Sequence, residues 1–132
     1  MINRISRNFK DIDISFDPHP FTKDLVVKRD TEAIKNAIFN LINTRPYDRP
    51  FHPEIGCQIH SLLFENFTPV TRAIAEKSVY DVLTKFEPRI DLVQVSVTQS
   101  LNDENEMIVS VMFIYDNTTD PITVTTSLTR VR

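Results

Sequence analysis

Between Phe86 and Ile90 the chain changes its hydrophobic period, and Pro88 sits at the change. Before it, Ala75, Val79, Val82, Leu83 and Phe86 recur at helical spacing. After it, Val93, Val95 and Val97 alternate with Gln94, Ser96 and Thr98. A period near 3.6 gives a helix one apolar stripe, and a period of two gives a strand one apolar face. Pro88 fixes its own φ and disfavours the helical basin for Glu87, so the helix must end there. A chain built this way places a helix directly before a run of strands, which narrows the fold to a mixed class.

The rest of the chain agrees with that division. Thr68 suits an N-cap and Pro69 the first helical position, so the helix before the junction spans 68–86. Lys77, Asp81 and Lys85 form its solvated face. A first helix is predicted over 30–43, where Ile34, Ala37, Ile38, Leu41 and Ile42 make one stripe and Asp30 or Thr31 can cap the start. Between the helices, 44–57 reads TRPYDRPFHPEIGC, a loop stiffened by Pro46, Pro50 and Pro53. Gly56, the one glycine of the chain, is expected to take a backbone angle that other residues avoid. A short helix is predicted over 58–65, anchored by Leu62, Leu63 and Phe64.

Three strands close the chain. MIVSVMFIY (107–115) is apolar on both faces and reads as a central strand covered on both sides. Ile122, Val124, Thr126 and Leu128 alternate with Thr123, Thr125, Ser127 and Thr129. At a sheet edge, such a strand leaves backbone donors and acceptors for another chain. Upstream, residues 1–24 read as an extended arm or an edge strand, with Ile12, Ile14 and Phe16 alternating with Asp13 and Ser15. Leu25 to Lys28 can form a further short strand.

Several function classes find little support. The net charge of −3 is not that of a phosphate-tracking surface, so no nucleic-acid partner is expected. No apolar run approaches the length of a membrane span, and the N-terminal stretch lacks the apolar centre of a secretory signal. The single cysteine, Cys57, excludes an intrachain disulfide and fits a reducing compartment. With one glycine, no Gly-rich phosphate loop is available. His52, Cys57 and His60 match no standard zinc spacing, and Cys57 with His60 does not by itself make a nucleophile and base. Glu54, Glu65 and Glu87 select no acid pair for glycoside hydrolysis. No cofactor, metal or catalytic residue is assigned.

Glu87 and Arg89, on either side of Pro88, admit two readings. Arg89 can cap the carbonyl end of the helix while Glu87 pairs with it, or with Arg45 or Arg49. Alternatively, the stiff corner presents a charge pair to a partner.

Four segments in order, AIKNAIFNLI (33–42), TRPYDRPFHPEIGC (44–57), LLFENFTP (62–69) and EPRI (87–90), resemble the baseplate wedge and sheath-initiator family of contractile phage tails. The type VI secretion baseplate counterpart is a more distant likeness. The resemblance implies a structural protein at the base of the sheath, whose sheet is offered to arms of the tail sheath protein for strand addition. It implies that Glu87, Pro88 and Arg89 attach the chain to other baseplate wedge proteins. It implies about six copies in the assembled baseplate, and a place in the virion tail after assembly in the host cytoplasm. Members are often labelled lysozyme-like, which leaves a peptidoglycan-cleaving enzyme as an alternative. A general strand-addition adaptor is the other.

The expected fold is α/β in the α+β sense. Two main helices pack on a mostly antiparallel sheet of C-terminal strands, with an extended N-terminal segment adding an edge. Residues 1–24 are the arm and 25–132 a single domain. The partner-binding candidates are Glu87, Pro88, Arg89, Ile122, Val124, Thr126 and Leu128. The core candidates are Ile34, Ile38, Leu41, Val79, Leu83, Phe86, Val95, Val111 and Phe113.

Overall fold

The computed structural model describes residues 10–13, 15–24, 27–115 and 119–130. Two compact units divide the chain, Met1–Ile38 and Phe39–Arg132. In the first, β1 (Lys10–Ile12) pairs antiparallel with β2 (Val27–Arg29), Lys10 opposite Arg29 and Ile12 opposite Val27. The N-terminal segment therefore does not add an edge to the C-terminal sheet among the described residues: β1 and β2 form a sheet of their own. Ile14, Leu25 and Val26, part of the strand readings above, lie outside the described residues.

Helix α1 (Thr31–Asn43) begins where expected, with the Asp30 carbonyl accepting from Ile34 N–H at 3.1 Å. Its stripe is buried at Ile34, Ile38, Leu41 and Ile42. The short helix α2 occupies only Ile59–Leu62. Leu63 is buried but Phe64 is 60% exposed, so Phe64 is no anchor.

Helix α3 (Pro69–Phe86) follows the signals at both ends. Thr68 Oγ1 accepts from Thr71 N–H at 3.2 Å, and Pro69 occupies the first turn. The last turn closes with Glu87 N–H donating to the Leu83 carbonyl at 2.9 Å. Ala75, Val79 and Leu83 are fully buried. Burial of side chains such as Val79 and Leu83 contributes about 1.5–3 kcal/mol each. Lys77, Asp81 and Lys85 are exposed on the opposite side, as the charge pattern implied.

Three antiparallel strands follow: β3 (Ile90–Gln99), β4 (Glu106–Tyr115) and β5 (Ile122–Thr129), in the order β3-β4-β5. Helix α3 lies against β3. The core face of the sheet carries Val97, Met107, Val109, Val111, Phe113, Tyr115 and Leu128, all buried. The expected double cover of β4 is corrected. Its burial alternates strictly, with Ile108, Ser110, Met112 and Ile114 half-exposed on the outer face. The apolar outer residues come from a central strand whose neighbours, Ser96 and Thr125, put hydroxyls beside them. Phe86 and Val95, expected in the core, are half-buried.

Candidate functional site

The corner after α3 is a tight ion pair. Arg89 Nε donates to Glu87 Oε1 at 2.5 Å, and Nη2 donates to Oε2 at 2.7 Å. Glu87 is 4% exposed, while the Arg89 side chain keeps 28% of its surface. A forked pair of this kind is geometrically demanding and holds both side chains in one orientation. Pro88 is exposed at the tip. Glu87 therefore pairs with Arg89, and the pair points the start of β3.

The second station is β5. The hydrogen-bond parity of the sheet decides which of its groups are free to bond outward. Arg130 N–H donates to the Asn105 carbonyl at 2.8 Å, and the register runs from Glu106 opposite Thr129 to Phe113 opposite Ile122. In an antiparallel ladder bonded and non-bonded pairs alternate. The even-numbered residues Ile122, Val124, Thr126 and Leu128 thus turn their backbone groups toward β4. The outward groups belong to Thr123, Thr125, Ser127 and Thr129. The side chains follow the same alternation: Thr126 and Leu128 are buried under the sheet, and Thr123, Thr125, Ser127 and Thr129 are exposed. The even-numbered set was legible as the apolar face; the outward backbone set needs the register, which sequence does not contain. The corner opens into β3, and β5 is the other outer strand, so the sheet keeps the two stations on opposite sides of β4.

The loop before α2 forms a third feature. Cys57 N–H donates to the Thr44 carbonyl at 2.8 Å and Tyr47 N–H to the Pro53 carbonyl at 3.1 Å, which folds the loop back on itself. Gly56 does not have a positive φ; Tyr47, at 71°, does. The glycine is needed for space. A Cβ there would lie 2.5 Å from the Arg45 carbonyl carbon and 2.7 Å from its oxygen, and against Pro46 N. Arg45, Pro46, Tyr47, Cys57, His60 and Phe64 line a groove of about 460 Å³ beside this crossing.

The histidines and the cysteine have local roles. His52 Nδ1 sits 3.2 Å from Glu54 Oε1 at the surface. A backbone hydrogen bond and the neighbouring His52 hold the Glu54 carboxyl below its usual range. His60 Nε2 donates to the Ile42 carbonyl at 3.2 Å. Burial pushes the His60 pKa down, with the charge of Arg45 adding to it. Burial pushes the Cys57 thiol up, and its Sγ lies 3.6 Å from Ser78 Oγ. A thiol held protonated is a poor nucleophile. Among the described residues no three His, Cys, Asp or Glu side chains are grouped to hold a metal.

One contact has no signal in the sequence. Glu76 Oε1, on α3, accepts from Val97 N–H on β3 at 3.1 Å, across 21 positions.

A family model described as baseplate wedge protein gp25 matches residues 28–120. Baseplate wedge protein gp25 of Enterobacteria phage T4 is 35% identical over 117 residues, which is 88% of this chain and 87% of that protein. Solved structures that share the fold include the following three. A chain of the anti-feeding prophage baseplate aligns with a TM-score of 0.73 at 19% identity, over 86% of this chain and 90% of that one. A Geobacter sulfurreducens protein with a provisional tail-lysozyme label gives 0.69 at 23% identity, over 76% and 91%. A chain of the type VI secretion system baseplate complex gives 0.65 at 16% identity, over 76% and 93%.

Proposed function

The chain belongs to the baseplate wedge protein gp25 family, and from that premise we propose that it is a structural component of a contractile-tail baseplate wedge. In this reading residues 25–132 form the wedge domain and residues 1–24 an arm. The family match over 28–120 lies within the proposed wedge domain, while the division of the chain into compact units falls later, between Ile38 and Phe39. The protein acts in the virion tail, after assembly in the host cytoplasm, in six copies per baseplate set by the sixfold symmetry of such particles.

Its task is to start the sheath. An arm of the tail sheath protein adds to the sheet beside β5, main-chain hydrogen bonds supplying affinity and alternate side chains supplying fit. The observation that carries this reading is the β5 edge: a regular eight-residue strand whose outward groups sit at Thr123, Thr125, Ser127 and Thr129. The arm that fits alternates apolar with small polar residues. Its apolar side extends the face of Ile122, Val124, Thr126 and Leu128, and its polar side joins the threonines. The Glu87–Pro88–Arg89 corner docks on other wedge proteins through the exposed Pro88 and the partly exposed Arg89 side chain.

Peptidoglycan cleavage is not part of the reading. Both oxygens of Glu87 are engaged by Arg89, which leaves this carboxylate poorly placed to act as an acid or a nucleophile. The experiment is assembly in cells lacking this chain. The expected product is baseplates without sheath, alongside free sheath polymer. Normally sheathed tails would overturn the proposal. A zymogram that clears with wild type, but not with Glu65→Gln or Glu87→Gln, would replace it with an enzyme.

A further inference from the structure

The three-stranded sheet has two outer strands, and they are not equivalent. β5 runs in unbroken register against β4. β3 does not: its register slips between Leu92 and Gln94, leaving Val93 as a bulge. Bulges on outer strands twist the edge and interrupt the row of groups that a foreign strand would bond.

Parity identifies the outward groups of β3. Ser100 N–H donates to the Glu106 carbonyl at 2.9 Å, so Ser100, Thr98 and Ser96 are bonded to β4. The outward groups belong to Val95, Val97 and Gln99. Val97 is the middle of these, and its N–H is the one that Glu76 Oε1 accepts at 3.1 Å. Glu76 is positioned from behind by Arg72, one helical turn earlier, with Nε at 3.5 Å from the same oxygen. The Glu76 side chain is only 30% exposed. A carboxylate on a backbone N–H is a strong hydrogen bond, and an incoming strand would have to displace it and leave a negative charge facing its own carbonyls.

We infer that Glu76 closes the β3 edge, so that the sheet accepts a foreign strand at β5 alone. Glu76 is thereby a specificity-determining residue: it gives the sheet one direction of growth. The inference rests on the strand-addition reading for its biological meaning, but the closure is a property of the isolated chain. It also accounts for the long reach of this glutamate from α3, which helix packing alone does not require.

The test uses the full chain. Amide exchange is compared by NMR in wild type, Glu76→Ala and Glu76→Gln. Glu76→Ala should speed exchange at Val97 by about tenfold or more, with Ser96 and Thr98 unchanged because β4 holds them. Glu76→Gln keeps an acceptor oxygen and should stay near wild type. Sedimentation velocity then reads the freed edge. Glu76→Ala should form dimers that the added change Val95→Pro disperses, since it removes an outward N–H of β3. The added change Thr125→Pro, on β5, should leave those dimers intact. Glu76→Lys repeats the comparison with a long side chain that has no acceptor for the Val97 N–H, should the alanine variant fold poorly. Unchanged exchange at Val97, faster exchange without dimers, or dimers dispersed by Thr125→Pro would each overturn the inference. None of these readouts contains a sheath strand. Failure of strand addition itself is seen separately, as co-assembly with sheath protein that ignores Thr125→Pro.

Discussion

Arg89 holds Glu87 in a two-pronged grip across a single proline, Nε to Oε1 at 2.5 Å and Nη2 to Oε2 at 2.7 Å. The pair spans the point where α3 ends and β3 begins. Because Glu87 is buried, its charge depends on the guanidinium for compensation. The brace therefore sets the direction in which the sheet leaves the helix. A docking role for the same residues adds to the brace and does not compete with it.

Removing Arg89 should be costly for this reason. Arg89→Ala leaves a buried carboxylate unpaired, and the expected loss is about 2–4 kcal/mol, below the full buried-pair range because Arg89 is partly solvated. Urea unfolding measures it. Arg89→Lys keeps the charge and loses the fork. If the lysine variant folds stably yet fails to join wedge proteins, the fork has a partner as well as Glu87. A loss under about 0.5 kcal/mol for Arg89→Ala would place the pair with ordinary surface bridges.

The outcome at this corner shows what a sequence can and cannot convey. Helix α3 was legible because both its ends carry stereochemical signals: Thr68 and Pro69 at one, Pro88 at the other. The strands were legible because their period is two. What remained hidden depends on distance in sequence. Gly56 was expected to provide an unusual φ, but it provides room for Arg45 and Pro46, ten or more positions earlier. Glu76 bonds Val97 21 positions away. The apolar outer face of β4 looked like a covered face, since composition does not say how many layers surround a strand. The pairing of β1 with β2 was equally beyond reach, because short strands carry too little pattern to name their partner.

Gly56→Ala tests the spatial account directly. All three nearest atoms belong to backbone, so none can swing aside as a side chain would. The expected cost is about 2–3 kcal/mol, the range for overpacking a tight site. A conformational account based on φ predicts little effect, because Gly56 does not have a positive φ. A urea midpoint equal to wild type would refute the close crossing of the two loop strands.

The pH dependence of stability should carry the mark of His60. Burial favours its neutral form, so the folded chain takes up the proton less readily than the unfolded chain. The sign follows: stability is full above the unfolded value of 6.5 and declines as pH falls below it. Glu54 contributes in a lower window, below its ordinary value of 4.5. Urea midpoints at about pH 7.5 and about pH 5 therefore isolate the histidine. His60→Asn retains a donor for the Ile42 carbonyl and should flatten the difference between the two. A variant that keeps the full wild-type slope would assign the effect to another group.

Proline substitution along β5 tests the parity of the edge. Val124 turns its N–H toward β4 and Thr125 turns its N–H outward, as the register opposite Val111 and Ser110 requires. Val124→Pro removes a ladder bond and leaves its β4 acceptor unpaired, which should cost about 1–3 kcal/mol. Thr125→Pro removes an outward backbone donor and the exposed hydroxyl contact with Ser110 at 3.4 Å, and outer strands tolerate proline at such positions, so the fold should survive with a loss under about 1 kcal/mol. The two variants differ by one position, and each replaces a β-branched residue by proline. Their contrast separates damage to the sheet from damage to the edge. Thr125→Pro should then fold and still fail to recruit sheath protein in a co-assembly assay. Equal destabilisation by both would mean the outward row is assigned to the wrong residues. A stable Thr125→Pro variant that recruits sheath normally would mean the first sheath strand does not bond at this edge.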